Sequence, residues 1–198
     1  MVTYRIDTTT LREVPQDVGA TWEHVERLER QGASGDAERV AWLRILGALG
    51  AAERLAWSDV ARHGGPASVA DVRQGGDLPR DAWRPVLRLA QVLHWRGRCD
   101  DADVLVDAVR RCASDAAAGA DDATARDCSA VIAFADQGQG KVRFDAGRWV
   151  EAAHLFSSAL ERRARDGAPP DQVESSRIAL AAASARASGA QTGVAAGV

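Results

Sequence analysis

The sequence predicts an all-α fold in which antiparallel helix pairs stack on one another, and three observations carry that prediction. Apolar residues recur at spacings of three and four, as in Trp42, Ile45, Leu46 and Leu49, or Ala152, Leu155, Phe156, Ala159 and Leu160. Strand signals are scarce: there is one tyrosine, and only V-T-Y-R-I at residues 2–6 alternates as an extended segment does. Glycine-rich and polar punctuation divides the remainder into segments of helical length.

Residues 1–17 read as an extended N-terminal segment, since a lone strand cannot make a sheet. A first helix covers Val18 to Arg30 and ends at Gly32. A second begins at Asp36, whose carboxylate can cap free amides, and runs to Leu49, where Gly50 breaks it. Ala51 to His63 form a third, followed by G-G-P-A-S-V-A-D-V-R-Q-G-G-D-L-P, the longest polar and glycine-rich linker of the chain. Asp81 caps a fourth helix in which Pro85 is tolerable because it lies in the first turn; this helix ends near Gly97. A fifth spans Asp100 to Ser114. A long sixth spans Asp122 to Asp145, with interruptions expected at Gly138 and Gly140, and a seventh spans Arg148 to Arg165. After G-A-P-P an eighth runs from Asp171 to Ala187, and residues 188–198 read as a flexible tail. The expected organisation is one helical domain over 18–187, with pairs at about 36–63, 81–114 and 122–166 and a final helix at 171–187.

Composition narrows the function classes. The chain of 198 residues is 46% hydrophobic and 27% charged, a globular balance, and no apolar run approaches the roughly 20 residues that cross a bilayer. No basic start, apolar stretch and small-residue cleavage site open the sequence, so a cytoplasmic location is expected. A net charge of −3 from 25 basic and 28 acidic residues provides no field for nucleic acid or anionic lipid. Lys141 is the only lysine, and with abundant Ala, Gly and Asp this reads as the coding bias of a high-GC bacterial genome. Cys99, Cys112 and Cys128 match neither a disulfide framework nor a zinc pattern, and read as buried thiols in a reducing compartment.

Aligning helix-breaking glycines exposes an internal repeat. Gly97 is followed by Ala102, Val106 and Ala108 at plus five, nine and eleven; Gly147 is followed by Ala152, Phe156 and Ala159 at plus five, nine and twelve. Seven residues before each glycine stands a small residue, Ala90 or Gly140, where two helices can approach closely. A first copy around Gly50 is weak, because Leu55 falls where a small residue is expected.

This pattern resembles the tetratricopeptide repeat, a helix-turn-helix unit with glycine at its turn, a small residue early in the second helix, a large apolar one a turn later and then alanine. Spacings of 47 and 50 residues exceed that family's roughly 34 and are similar to its long-helix variants. The resemblance covers residues 36–187 and implies a short right-handed superhelix whose concave surface, lined by the first helix of each pair, binds a peptide or partner helix. Carried over by distance before the turn, that surface includes Arg44, then Arg84, Leu87, Gln91, His94 and Trp95, then Phe134, Gln137, Lys141, Phe144 and Asp145. The asparagine pairs with which some members clamp a C-terminal carboxylate are missing.

Chemistry is sparse in the sequence. G-Q-G-K at 138–141 lacks the earlier glycine, the hydroxyl and the preceding strand of a phosphate loop. C-D-D-A-D at 99–103 resembles the paired aspartates of helical magnesium enzymes, and Asp100, Asp101 and Asp103 define an alternative, enzymatic reading. With no second metal motif, these residues are expected at a helix start, where capping and the dipole favour carboxylates. His24, His63, His94 and His154 lie on different predicted helices, and no nucleophile signature occurs. Of six tryptophans most are expected in the core, with Trp95 the candidate binding anchor. The expected function is therefore a non-enzymatic protein-interaction module, adaptor or regulatory, with no catalytic or metal residue and no cofactor. Homodimerisation through an exposed end of the stack is a further expectation.

Overall fold

Three turns with the same hydrogen bonds set the architecture. At each, a glycine in the left-handed region (Gly47, φ +77°; Gly97, φ +78°; Gly147, φ +73°) ends one helix and reverses the chain. The glycine N–H donates three residues back, to Arg44, His94 and Phe144 C=O at 2.9, 2.9 and 3.0 Å. The next N–H donates five back, to Leu43, Leu93 and Arg143 C=O, each at 2.9 Å. This is the Schellman arrangement, and a side chain at the glycine position would be strained. The three glycines stand fifty residues apart in sequence.

The computed structural model describes residues 2–76 and 78–195. Met1, Asp77 and residues 196–198, which fall in the predicted N-terminal segment, linker and tail, lie outside the described residues. The described chain is mostly helical: α1 Val18–Arg30, α2 Asp36–Ile45, α3 Leu49–Arg62, α4 Val69–Arg73, α5 Trp83–Trp95, α6 Cys99–Ala117, α7 Asp122–Asp145, α8 Trp149–Arg165 and α9 Pro170–Ala195. Short 3₁₀ turns at Gly32–Gly35 and Arg80–Ala82 precede α2 and α5.

The second helix thus ends at Ile45 and turns at Gly47; the predicted break at Gly50 falls inside α3 instead. Moving the turn restores the pattern, because Ala52 now stands five residues after it, fully buried like Ala102 and Ala152. Asp36 and Asp81 cap nothing; Asp36 is buried and accepts from Arg62 Nη2 at 2.6 Å. α7 is uninterrupted, and both Gly138 and Gly140 are buried within it. A Cβ on Gly140 would lie 2.5 Å from Phe156 Cε1, so the absent side chain is what lets α8 press its largest core residue onto α7. α4 lies within the predicted linker and is opened by Ser68, whose hydroxyl accepts from Asp71 N–H at 3.2 Å while Asp71 accepts from Ser68 N–H at 2.9 Å. α9 continues past its predicted end at Ala187 to Ala195.

A strand pair also forms. β1 Tyr4–Ile6 runs antiparallel to β2 Glu13–Pro15, pairing Tyr4 with Pro15, Arg5 with Val14 and Ile6 with Glu13. E-V-P carries a single β-branched residue, which is why no second strand is legible in it; Pro15 is tolerated at the end of an edge strand.

Each long helix packs on its sequence neighbours, and the first helices of the pairs also touch one another: α2 on α5, α5 on α7, α7 on α9. The larger core cluster runs from Val25 of α1 through Val86, Leu89 and Leu93 of α5 to Val131 and Val142 of α7. A smaller one joins Phe144, Ala152, Phe156, Ala179 and Ala183 with Leu11 of the hairpin. Among the described residues no helix is long and apolar enough to cross a membrane.

Candidate binding cleft

The face shared by the first helices holds a cleft of about 690 Å³, within the range that encloses ligands. α2 contributes Ala41; α5 contributes Arg84, Arg88 and Gln91; α7 contributes Arg126, Ala130, Phe134, Gln137 and Lys141. The opposite wall is the end of α8 and the start of α9, with Arg162, Arg163, Asp171 and Gln172. A second hollow of about 500 Å³, beside the start of α8, is lined mostly by Trp149, Val150, Ala187 and Ala190. Its two charges, Arg148 and Glu151, are bonded to each other.

The N-terminal hairpin closes one end of the cleft. Glu13 is buried there, accepting from Arg44 Nη1 at 2.8 Å and from Lys141 Nζ at 2.7 Å. Burial alone raises the Glu13 carboxyl, but Lys141 and Arg44 outweigh it and hold it far below the usual carboxylate range. Burial pushes the Lys141 ammonium down, with Glu13 opposing. Bonded to both cations, the carboxylate offsets part of the cost of burying them. Beside it, the guanidinium groups of Arg44 and Arg12 stack on the Trp95 ring at 4.5 and 5.1 Å from its centroid. Leu11, 1% exposed, anchors the hairpin loop with φ +54°.

Cations dominate the open part. Arg84 donates to Asp127 at 2.5 Å and Arg88 to Asp59 at 3.2 Å. Arg162 Nε lies 3.9 Å from Asp136, an ion pair without a hydrogen bond. Arg163 is 8% exposed. Its Nη1 donates to Gln172 C=O at 2.9 Å and to Ser176 Oγ at 2.8 Å, and Ser176 in turn donates to Gln137 Oε1 at 2.8 Å. No carboxylate lies within 4.0 Å of Arg163 or Arg126 among the described residues. Burial pushes the Arg163 guanidinium below its usual value, opposed by the more distant Asp171 and Tyr4. The Gln137 Nε2 donor is buried without a partner. The lining as a whole carries six cations against three carboxylates, although the chain is net negative.

Of the residues expected on the binding surface, Arg84, Gln91, Phe134, Gln137 and Lys141 line the cleft. Arg44 and Lys141 are not available to a partner, because Glu13 occupies both. His94 is buried and bonds Asp145 at 2.9 Å, and Trp95 is covered by two arginines rather than presented as an anchor. The hairpin accounts for Glu13 on Arg44 and Lys141 and for Arg12 over Trp95, whereas the His94–Asp145 bond joins α5 to α7 directly. Arg88, Arg126, Arg162 and Arg163 were not expected there: two come from α8, a second helix of a pair, and the other two are single arginines in arginine-rich text.

Two of the three aspartates of the alternative reading, Asp101 and Asp103, are engaged by arginines. Asp101 accepts from Arg73 at 2.8 Å and Arg98 at 2.9 Å, and Asp103 accepts from Arg143 at 2.5 Å. No group of three or more His, Cys, Asp or Glu that could hold a metal occurs among the described residues. His24 bonds Glu38 and His63 bonds the Asp59 carbonyl, and neither histidine lines the cleft.

No protein-family model matches the chain, and no curated protein and no solved structure matches it.

Proposed function

We propose that this chain is a non-enzymatic interaction module of the bacterial cytoplasm that binds a peptide segment on the concave face of a short tetratricopeptide-like superhelix. One observation carries the reading. Three equivalent glycine turns, fifty residues apart, put the first helices side by side, and the largest cleft described lies along that shared face. The magnesium-enzyme alternative is disfavoured by the arginines that occupy Asp101 and Asp103. We read the module as an adaptor or a regulatory part; with no DNA-reading motif in the sequence, any regulation would pass through the bound partner.

The test is steric. Ala130 is exposed on the cleft wall, so Ala130→Trp fills the cleft without altering charge. Peptides selected from a random display library against the full chain are expected to lose at least about tenfold in affinity for the Ala130→Trp protein by calorimetry. Undiminished binding of every selected peptide would remove the cleft from consideration.

A further inference from the structure

We infer that the open cleft is an acid-reading site: it seats carboxylate side chains of an extended partner segment on Arg163, Arg162 and Arg126, with the spare Gln137 amide as a further donor. This rests on the concave face being the binding face, and names the chemistry of its occupant.

Three observations support the inference. The first is the imbalance of charge and hydrogen bonding. Arg163 is buried on the cleft wall with only a carbonyl and a hydroxyl as partners, Gln137 Nε2 has none, and Arg126 meets only its own helix's Asp122 carbonyl at 3.1 Å. Buried donors short of acceptors are stabilised by an anion that brings acceptor oxygens with it. The second is length. Arg126 and Gln137 stand eleven residues apart on α7, about 16 Å at 1.5 Å per residue. That distance matches about five residues of extended chain and exceeds the reach of one small anion. The third is the chain's own example. At the far end of the same face the strand residue Glu13 already sits between two cations, Arg44 and Lys141, in the arrangement proposed for the partner. A nucleic acid fits less well, since Tyr4 and Phe134 are the only aromatic residues of the lining and form no stacking row.

The experiment uses the same random peptide selection on the full chain. Peptides displaced by Ala130→Trp are expected to be enriched in Asp and Glu. The best of them, synthesised, should bind about tenfold or more weakly once its acids are replaced by amides, and equally weakly to the Arg126→Glu protein. Arg126 is exposed, so its replacement spares the fold; Arg163→Met is the second variant, read only after its thermal unfolding matches the parent. Cleft-directed peptides without acids, or an amide version that binds as well as the acid, overturn the inference while leaving the binding face standing. Selection of no peptide that Ala130→Trp displaces removes both. Full competition by millimolar citrate or inorganic phosphate makes this a small-anion site, and tighter binding of oligothymidylate makes it a nucleic-acid site; either result overturns the peptide assignment.

Discussion

Glu13 is the residue that ties the hairpin to the helices around the cleft. It lies 128 positions from Lys141 in sequence, and no periodicity or motif connects the two, so its role was invisible before folding. The small-residue rule, by contrast, was legible: Gly140 was expected at a close approach, and Phe156 fills the space its side chain would take. Replacing Glu13 by Gln leaves two buried cations uncompensated, for an expected loss of about 3–5 kcal/mol. The folded Glu13 carboxyl titrates below its unfolded value. Its contribution is therefore complete above the usual carboxylate range and is lost as pH falls beneath it. Urea unfolding of parent and Glu13→Gln should show the full gap near neutrality, narrowing below about pH 4. A gap independent of pH would mean that the carboxylate is not ionised in the fold.

At the scale of elements, type and order of the long helices were readable from period and punctuation, whereas the first turn was not. Gly47 and Gly50 are one helical turn apart, and propensity does not choose between them; the decision comes from where Ala52 falls when the next pair packs. A pair of substitutions measures this. Gly47→Ala forces a Cβ into φ +77° and should cost about 1–2 kcal/mol. Gly50→Ala lies inside α3, where its Cβ meets nothing nearer than Arg54 Nη1 at 3.7 Å, and should stabilise by about 0.5–1 kcal/mol. Thermal melts of the two variants moving in the same direction would contradict this register. The capping box of α4 was present in the text as S-V-A-D, hidden because glycine and proline on either side read as linker.

On the scale of the molecule, stacked pairs alone would be stable only through nearest-neighbour contacts and would fray from either end. The hairpin changes this, because it reaches Arg44 of α2, Trp95 of α5, Lys141 of α7 and, through Leu11, the cluster that includes Ala179 of α9. Removing residues 1–17 should therefore do more than lower the melting midpoint. Calorimetry is expected to show a broader transition, with a van't Hoff enthalpy below the calorimetric one, whereas the intact chain keeps the two equal.

The hairpin thus acts like the string of a bow. A spring of helix pairs can flex in pitch, but a strut fastened at both limbs and the grip holds one curvature, and with it one cleft width. It also links distant parts of the chain: the strut bonds only once helices from both halves are packed, so the cleft is complete only after those long-range contacts form.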